Sequence, residues 1–244
     1  MAKVKSRKWF YEFELPDGTR TETDIPAAVH VIHTARRNKL RDVIAQEVPG
    51  AAGLTALDFA SHEGYFAVEL ARHFREVRGI ELRQDSLDAA ALVTGALGVG
   101  NVTYQQGNVL DLKPTVDQSA DFVLVYGLLY HLEEPIRALR MASKLSRRHI
   151  LIETQIFPFD ISGRIEDGSY EWQREVTGMF SLSVDYDRRE GGDTELAVVP
   201  SLNALLFLLK HFGFTRTRVI ESGPGDYEQF RRGARVVIYG EKAD

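Results

Sequence analysis

From residue 54 to residue 156 the chain alternates short apolar runs with amphipathic segments. This alternation limits the fold more than any other feature of the sequence. Apolar runs at 54–59, 77–82, 102–105, 122–126 and 150–156 have the length of strands. The stretches 65–74, 86–97 and 136–145 place apolar residues at helical spacing between them. Strands separated by helices of this length build βαβ units, and such units build a parallel, doubly wound α/β sheet.

The flanks follow other rules. Aromatic residues alternate over 9–15, Asp17-Gly18 is a hairpin turn signal, and 19–23 can return as the second strand. A helical pattern covers 35–47, with Leu40, Val43 and Ile44 on one face. Residues 1–53 therefore read as an extension of hairpin and helix, ahead of a core at 54–156. Between 157 and 195 the rhythm breaks, with Pro158, Gly163, Gly168, Gly178, Gly191 and Gly192 mixed among Tyr170, Trp172 and Phe180. A loop region of that size in a compact domain is usually functional, so it is expected to be an irregular insertion or lid on the substrate side. Residues 196–244 return to the core. Ser201 caps a helix that Gly213 stops, and runs at 216–221 and 235–241 can pair antiparallel at a sheet edge.

Composition removes several function classes. The 244 residues contain no cysteine, which excludes disulfides, thiolate metal sites and cysteine nucleophiles. A formal net charge of -5 argues against general affinity for nucleic acid. Lys3, Lys5, Arg7 and Lys8 are not followed by the apolar core of a signal peptide, and 204–209 is too short an apolar run to span a bilayer. A cytoplasmic protein without a membrane partner is expected.

Three features fall at strand ends in the order a nucleotide site of this architecture needs. The loop "DFASHEG" follows the first strand, Glu81 ends the second, 23 positions after Asp58, and Gly107-Asn108-Val109 follows the third. An acid about 20 residues beyond the first loop is placed to accept hydrogen bonds from ribose hydroxyls. The first loop lacks the glycines that a pyrophosphate requires, and no G-x-x-x-x-G-K-[ST] occurs, so dinucleotide and P-loop readings are set aside. Ala60 and His62 stand where glycine would be favoured.

The segments "ALDFASHEGYFAVELA", "VRGIEL", "QQGNVLDL" and "ADFVLVYGLLYHLEEPIRAL" resemble the class I S-adenosylmethionine-dependent methyltransferases, and the closing "RVVIYGEK" resembles the last antiparallel strand of that fold. The resemblance implies a Rossmann-like, seven-stranded, mostly parallel sheet with an antiparallel C-terminal edge strand. It implies S-adenosyl-L-methionine as cofactor. Asp58, Ala60, Ser61, His62 and Gly64 would wrap its methionyl part. Glu81, with Leu82 beside it, would hold the ribose, and Asn108 with Val109 would meet the adenine. Tyr126, Gly127 and Leu128 would line the methyl end. "ELPDGT" and "GLLYHLEEP" are also similar to the tRNA wobble-uridine carboxymethyltransferase branch.

The remaining residues keep two readings. His131 lies just past the fourth strand, where an imidazole, with an ordinary pKa of about 6.5, suits removal of a proton from an acceptor; equally, it can be a helix-start histidine bonded to backbone. Tyr130 and Trp172 are candidate substrate contacts or packing residues. Asn108 beside glycine also fits an ordinary turn. His30 and His33 are expected at the surface. Glu153, Asp160, Glu166 and Asp167 do not have the spacing of a metal motif, and no metal is expected. The function implied is methyl transfer to an oxygen or nitrogen of a small molecule. The alternatives are a wobble-uridine-modifying relative, or a non-catalytic binding protein whose cofactor loop has degenerated. A dimer is compatible with the sequence.

Overall fold

The near-continuous apolar character of the central strands decides which elements lie inside. In the computed structural model, which describes residues 1–166, 173–184 and 196–243, the strand Ala120–Tyr126 is buried at all but one position. A strand buried on both faces must be covered by helices on both faces. Phe122, Leu124 and Tyr126 point to one side and Val123 and Val125 to the other, into two separate apolar clusters.

The strands are β1 (Thr55–Phe59), β2 (Glu76–Glu81), β3 (Val102–Gln106), β4 (Ala120–Tyr126) and β5 (Ser146–Gln155), followed by β6 (Ser162–Glu166), β7 (Gln173–Thr177), β8 (Phe180–Val184), β9 (Leu196–Pro200), β10 (Phe214–Val219) and β11 (Arg235–Lys242). The helices are α1 (Ala2–Lys5), α2 (Ala27–Glu47), α3 (Tyr65–Leu70), α4 (Gln84–Ala96), α5 (Pro135–Leu145), α6 (Leu202–His211) and α7 (Glu228–Arg231). Seven strands form one sheet in the order β10-β11-β5-β4-β1-β2-β3. β1 pairs in parallel with both β2 and β4. The chain thus builds outward from β1 to β3, then returns to the centre, and a topological switch point opens between β1 and β4. The last two strands pair antiparallel at one end of the sheet, with β11 lying between β5 and β10.

The extension adopts the expected turn, with Gly18 at φ 79° and an antiparallel bridge Glu14–Arg20. Residues 9–15 and 19–23 form only isolated bridges in place of the expected strands, and the Trp9–Thr23 bridge is parallel. The helix α2 starts at Ala27, earlier than its apolar periodicity, because Pro26 precedes a first turn whose valines are partly exposed. The buried carboxylate of Glu63 ties this extension to the core. It accepts from Phe10 N at 2.9 Å and Tyr11 N at 3.4 Å, and pairs with Arg7 Nη2 at 3.3 Å. His33 is buried rather than superficial, because its ring packs against Phe10 and Tyr11.

The segment read as irregular contains regular structure among its described residues. β6 pairs with β7, and β8 with β9, as two antiparallel ribbons. Each strand is five residues long, and the glycines at 163, 168, 178, 191 and 192 give the segment the composition of a loop. Trp172, Tyr170 and Asp167 lie outside the described residues. Asp160 accepts from Ser201 Oγ at 2.5 Å and Asn203 N at 2.9 Å, which fixes the start of α6. Among the described residues no helix is long and apolar enough to cross a membrane.

Removing the Glu63 carboxylate would leave buried N–H groups without their acceptor, at about 1–3 kcal/mol. Glu63→Ala is expected to lower the melting temperature followed by circular dichroism. An unchanged melting temperature would show that the extension is held by its aromatic packing alone.

Candidate active site

Strand ends, not loop composition, place the site. A cavity of about 470 Å³ opens beyond the carboxyl ends of β1, β2 and β4. Ala60, His62, Glu81, Leu82, Asn108 and Val109 line one half, and Tyr126, Gly127, Leu128, Tyr130 and His131 the other. Asp58, Ser61 and Gly64 are buried but are not part of the wall; they support the loop from behind.

The loop after β1 adopts the left-handed conformation without the glycines that usually permit it. Ala60 has φ 66°, His62 φ 49° and Gly64 φ 80°. A non-glycine residue there costs about 1–2 kcal/mol, so neighbouring bonds must hold the shape. They do so at each step. Ser61 N donates to Ile80 O at 2.8 Å, His62 N to Glu81 Oε2 at 2.9 Å and Gly64 N to Ser61 O at 2.9 Å. At Gly64 a Cβ would overlap the Tyr104 hydroxyl, itself bonded to Thr94 at 2.8 Å. Gly79 was not singled out in the sequence, yet a Cβ there would come within 2.7 Å of Ser61 Oγ. The missing side chain on β2 makes room for the loop.

Two acids meet under this loop. Glu81 is buried and accepts from His62 N, from Arg83 N at 3.0 Å and from Arg83 Nε at 3.2 Å. A carboxylate offers about four lone-pair sites, so one remains for a ligand in the cavity. Asp58 Oδ2 is buried without a hydrogen bond. Burial, and then the charge of Glu81, push the Asp58 carboxyl up to about 7.

The other half of the cavity holds residues that sequence reasoning missed. Phe10 and Tyr11 of the extension and Arg36 of α2 all line it. Arg36 is buried, with Nη2 2.8 Å from the fully buried Glu153. Glu153 also takes Arg235 Nη1 at 2.9 Å, and Arg235 Nη2 donates to the Tyr130 hydroxyl at 3.1 Å. Two guanidinium groups thus share one carboxylate, leaving a positive charge at the cavity wall. Arg36 Nε and the Tyr126 hydroxyl are buried without hydrogen bonds. Glycine at position 127 matters here, with φ 68° and the Arg36 guanidinium 3.4 Å from where a Cβ would stand. The only signal for Arg36 in the sequence was a helix ahead of the core.

His131 closes a short helical turn, its N–H bonded to Leu128 O at 3.0 Å and its ring 4.1 Å from that of Tyr130. The histidine thus belongs to a satisfied backbone turn and also lines the cavity. Asn108 is similar. Its Oδ1 accepts from Leu110 N at 2.9 Å, which shapes the turn, while the residue lines the cavity.

Residues 57–149 match the family model described as a methyltransferase domain. That span carries the β1 loop, Glu81 and the β4 segment in the order seen in the cavity. Over residues 57–149 the chain carries a methyltransferase domain. It is 28% identical over 151 residues to the ubiquinone biosynthesis O-methyltransferase of Alkalilimnicola ehrlichii, covering 56% of this chain and 61% of that protein. It is 29% identical over 124 residues to the O-methyltransferase resE of Aspergillus sclerotiorum, covering 50% of this chain and 46% of that one. The chain thus spans less than two thirds of the length of either relative. Among solved structures, the N-terminal domain of EvdMO1 with S-adenosylhomocysteine bound is similar at TM-score 0.73 and 21% identity, over 99% of this chain and 94% of that one. Magnesium protoporphyrin IX methyltransferase from Synechocystis, also with S-adenosylhomocysteine, is similar at TM-score 0.59 and 14% identity, over 91% and 90% of the two chains. At these identities the likeness is one of fold.

Asp58 gives the methyltransferase fold a specific pH dependence. Its folded pKa of about 7 lies above the 3.8 of an ordinary aspartate. The native state therefore binds the extra proton between those values, and stability is lost as pH rises from about 4 towards 7. Asp58→Asn removes this titration. Its melting temperature relative to the wild type is expected to be higher at pH 8 than at pH 5, by an amount on the order of a few kcal/mol in stability. A difference independent of pH would contradict the burial argument.

Proposed function

We propose that the protein transfers a methyl group from S-adenosylmethionine to an oxygen of a small-molecule acceptor. The observation that carries this reading is the cavity at the switch point, lined by Glu81 at the end of β2 and by His131 just past β4. Its volume lies within the range of sites that enclose a small ligand. The names of the two relatives, both O-methyltransferases, support oxygen as the atom methylated.

The residues present fit the cofactor. The open lone-pair site of Glu81 suits ribose hydroxyls, and Asn108 and Val109 border the space for adenine. The left-handed loop at 60–64 gives close backbone approach to the amino-acid end. The excess positive charge of Arg36 and Arg235, with Arg36 Nε free of a hydrogen bond, suits the cofactor's carboxylate. When bound, S-adenosylmethionine supplies an activated methyl group, so no protein nucleophile is required.

The chain's own work is alignment, exclusion of water and removal of one proton. Phe10 and Tyr11 cover the cavity from the extension, and Tyr126, Gly127 and Leu128 form the wall nearest the acceptor end. The His131 imidazole takes the proton of the acceptor hydroxyl as the oxygen becomes nucleophilic. Arg235 holds Tyr130 beside it.

Two substitutions separate binding from chemistry. Glu81→Ala is expected to weaken S-adenosylhomocysteine binding at least about tenfold by calorimetry, the loss of a charge-assisted hydrogen-bond acceptor. His131→Asn should leave that affinity unchanged and lower kcat by about 10²-fold. Unchanged cofactor affinity in the first variant would remove Glu81 from the ribose site. An undiminished kcat in the second would remove His131 as base.

A further inference from the structure

A second groove continues the acceptor end of the cavity. Its volume is about 600 Å³, and it shares Glu133 and Glu134 with the first. It runs between the start of α5 and the ribbon of β8 and β9, touching Pro135, Ile136, Phe180 and Val198.

The ribbon register makes one of its faces wholly apolar. Phe180 opposes Pro200, Leu182 opposes Val198 and Val184 opposes Leu196, so all six side chains project to the same side. The other face carries Ser181 and Ser183 opposite Val199 and the buried Ala197. Leu182 is 77% exposed, Leu196 45% and Val184 44%. An apolar face left open at the mouth of a cavity marks a surface for a ligand or a partner. The ribbon is fixed to the site by Val198 N donating to Leu132 O at 2.9 Å, and Leu132 itself lines the first cavity.

Charge at the rim is partly paired, and Glu133 and Arg140 also line the groove. Arg137 pairs with Asp111 at 2.9 Å and with Glu134 at 3.1 Å. Carboxylates and guanidinium groups both stand at the rim, so no single charge recommends an anion or a basic peptide, while the floor of Pro135, Ile136, Phe180 and Val198 suits hydrocarbon. Continuity with the acceptor end selects part of the substrate itself as occupant, in preference to a second protein.

Building on the methyltransferase reading, we infer that the acceptor is an amphiphile. Its hydroxyl-bearing head enters the first cavity beside His131, and an alkyl or similarly apolar body passes Glu133–Glu134 and lies on the Phe180–Leu182 face of the ribbon.

A homologous series of para-alkylphenols, from methyl to octyl, tests this by calorimetry on the protein saturated with S-adenosylhomocysteine. Affinity is expected to rise about twofold per methylene, roughly half the free-energy gain of full burial because the groove is open on one side. Leu182→Glu and Phe180→Ser, both at exposed positions, should flatten this gradient and leave S-adenosylhomocysteine affinity unchanged. A flat series in the wild type overturns the inference, and so does a gradient that survives in both variants. Size-exclusion chromatography of Leu182→Glu adds a further arm. If the variant turns a dimer into a monomer while the gradient persists, the ribbon is a subunit interface and the inference falls. Failure of the wild type to bind S-adenosylhomocysteine in the first titration would count against the methyltransferase reading instead.

Discussion

Glu81 at the end of β2 accepts the N–H of His62 at 2.9 Å, joining the acid to the loop that follows β1. That bond does two jobs. It holds His62 in a left-handed conformation that a histidine does not favour, and it fixes a carboxylate at the rim of the cavity. Ser61, bonded one step earlier to Ile80 O, completes the clasp between neighbouring strands. Loop shape and acid position are therefore one structural unit. Glycine is not needed at 60 or 62 because hydrogen bonds supply what conformational freedom would otherwise provide.

The extension is bound to the same unit from the other side. Glu63, at the far end of the loop, accepts the backbone of Phe10 and Tyr11. Arg36 reaches from α2 to Glu153 at the end of β5. A buried carboxylate between two arginines is poor evidence of stability, since desolvation opposes the pairing. Its position against Gly127 and the cavity makes a binding role the better account. Phe10, Tyr11 and Arg36 thus bring the extension to the wall of the cavity.

Much of the core could be read from the chain because its strands are apolar on both faces and its helices have clear stop signals. Glu81 and the β4 segment were legible for the same reason, since each sits at a strand end whose position periodicity sets. Ala60 and His62 were recognisable as departures, but their φ values follow from bonds to Ile80 and Glu81, which are distant in sequence. Arg36 and Gly79 were invisible. One lies on a helix outside the core and the other inside a strand, and each matters only through what packs against it. The two ribbons escaped notice although Phe180–Val184 alternates apolar residues with serine, because the glycines and proline around these short strands have the composition of a loop.

A crystal structure of the complex with S-adenosylhomocysteine tests the central claim most directly. The account predicts ribose hydroxyls on Glu81, the amino-acid carboxylate near Arg36, and Ala60 and His62 still at positive φ. A ligand seated away from Glu81, or a loop that had to refold to admit it, would contradict the account.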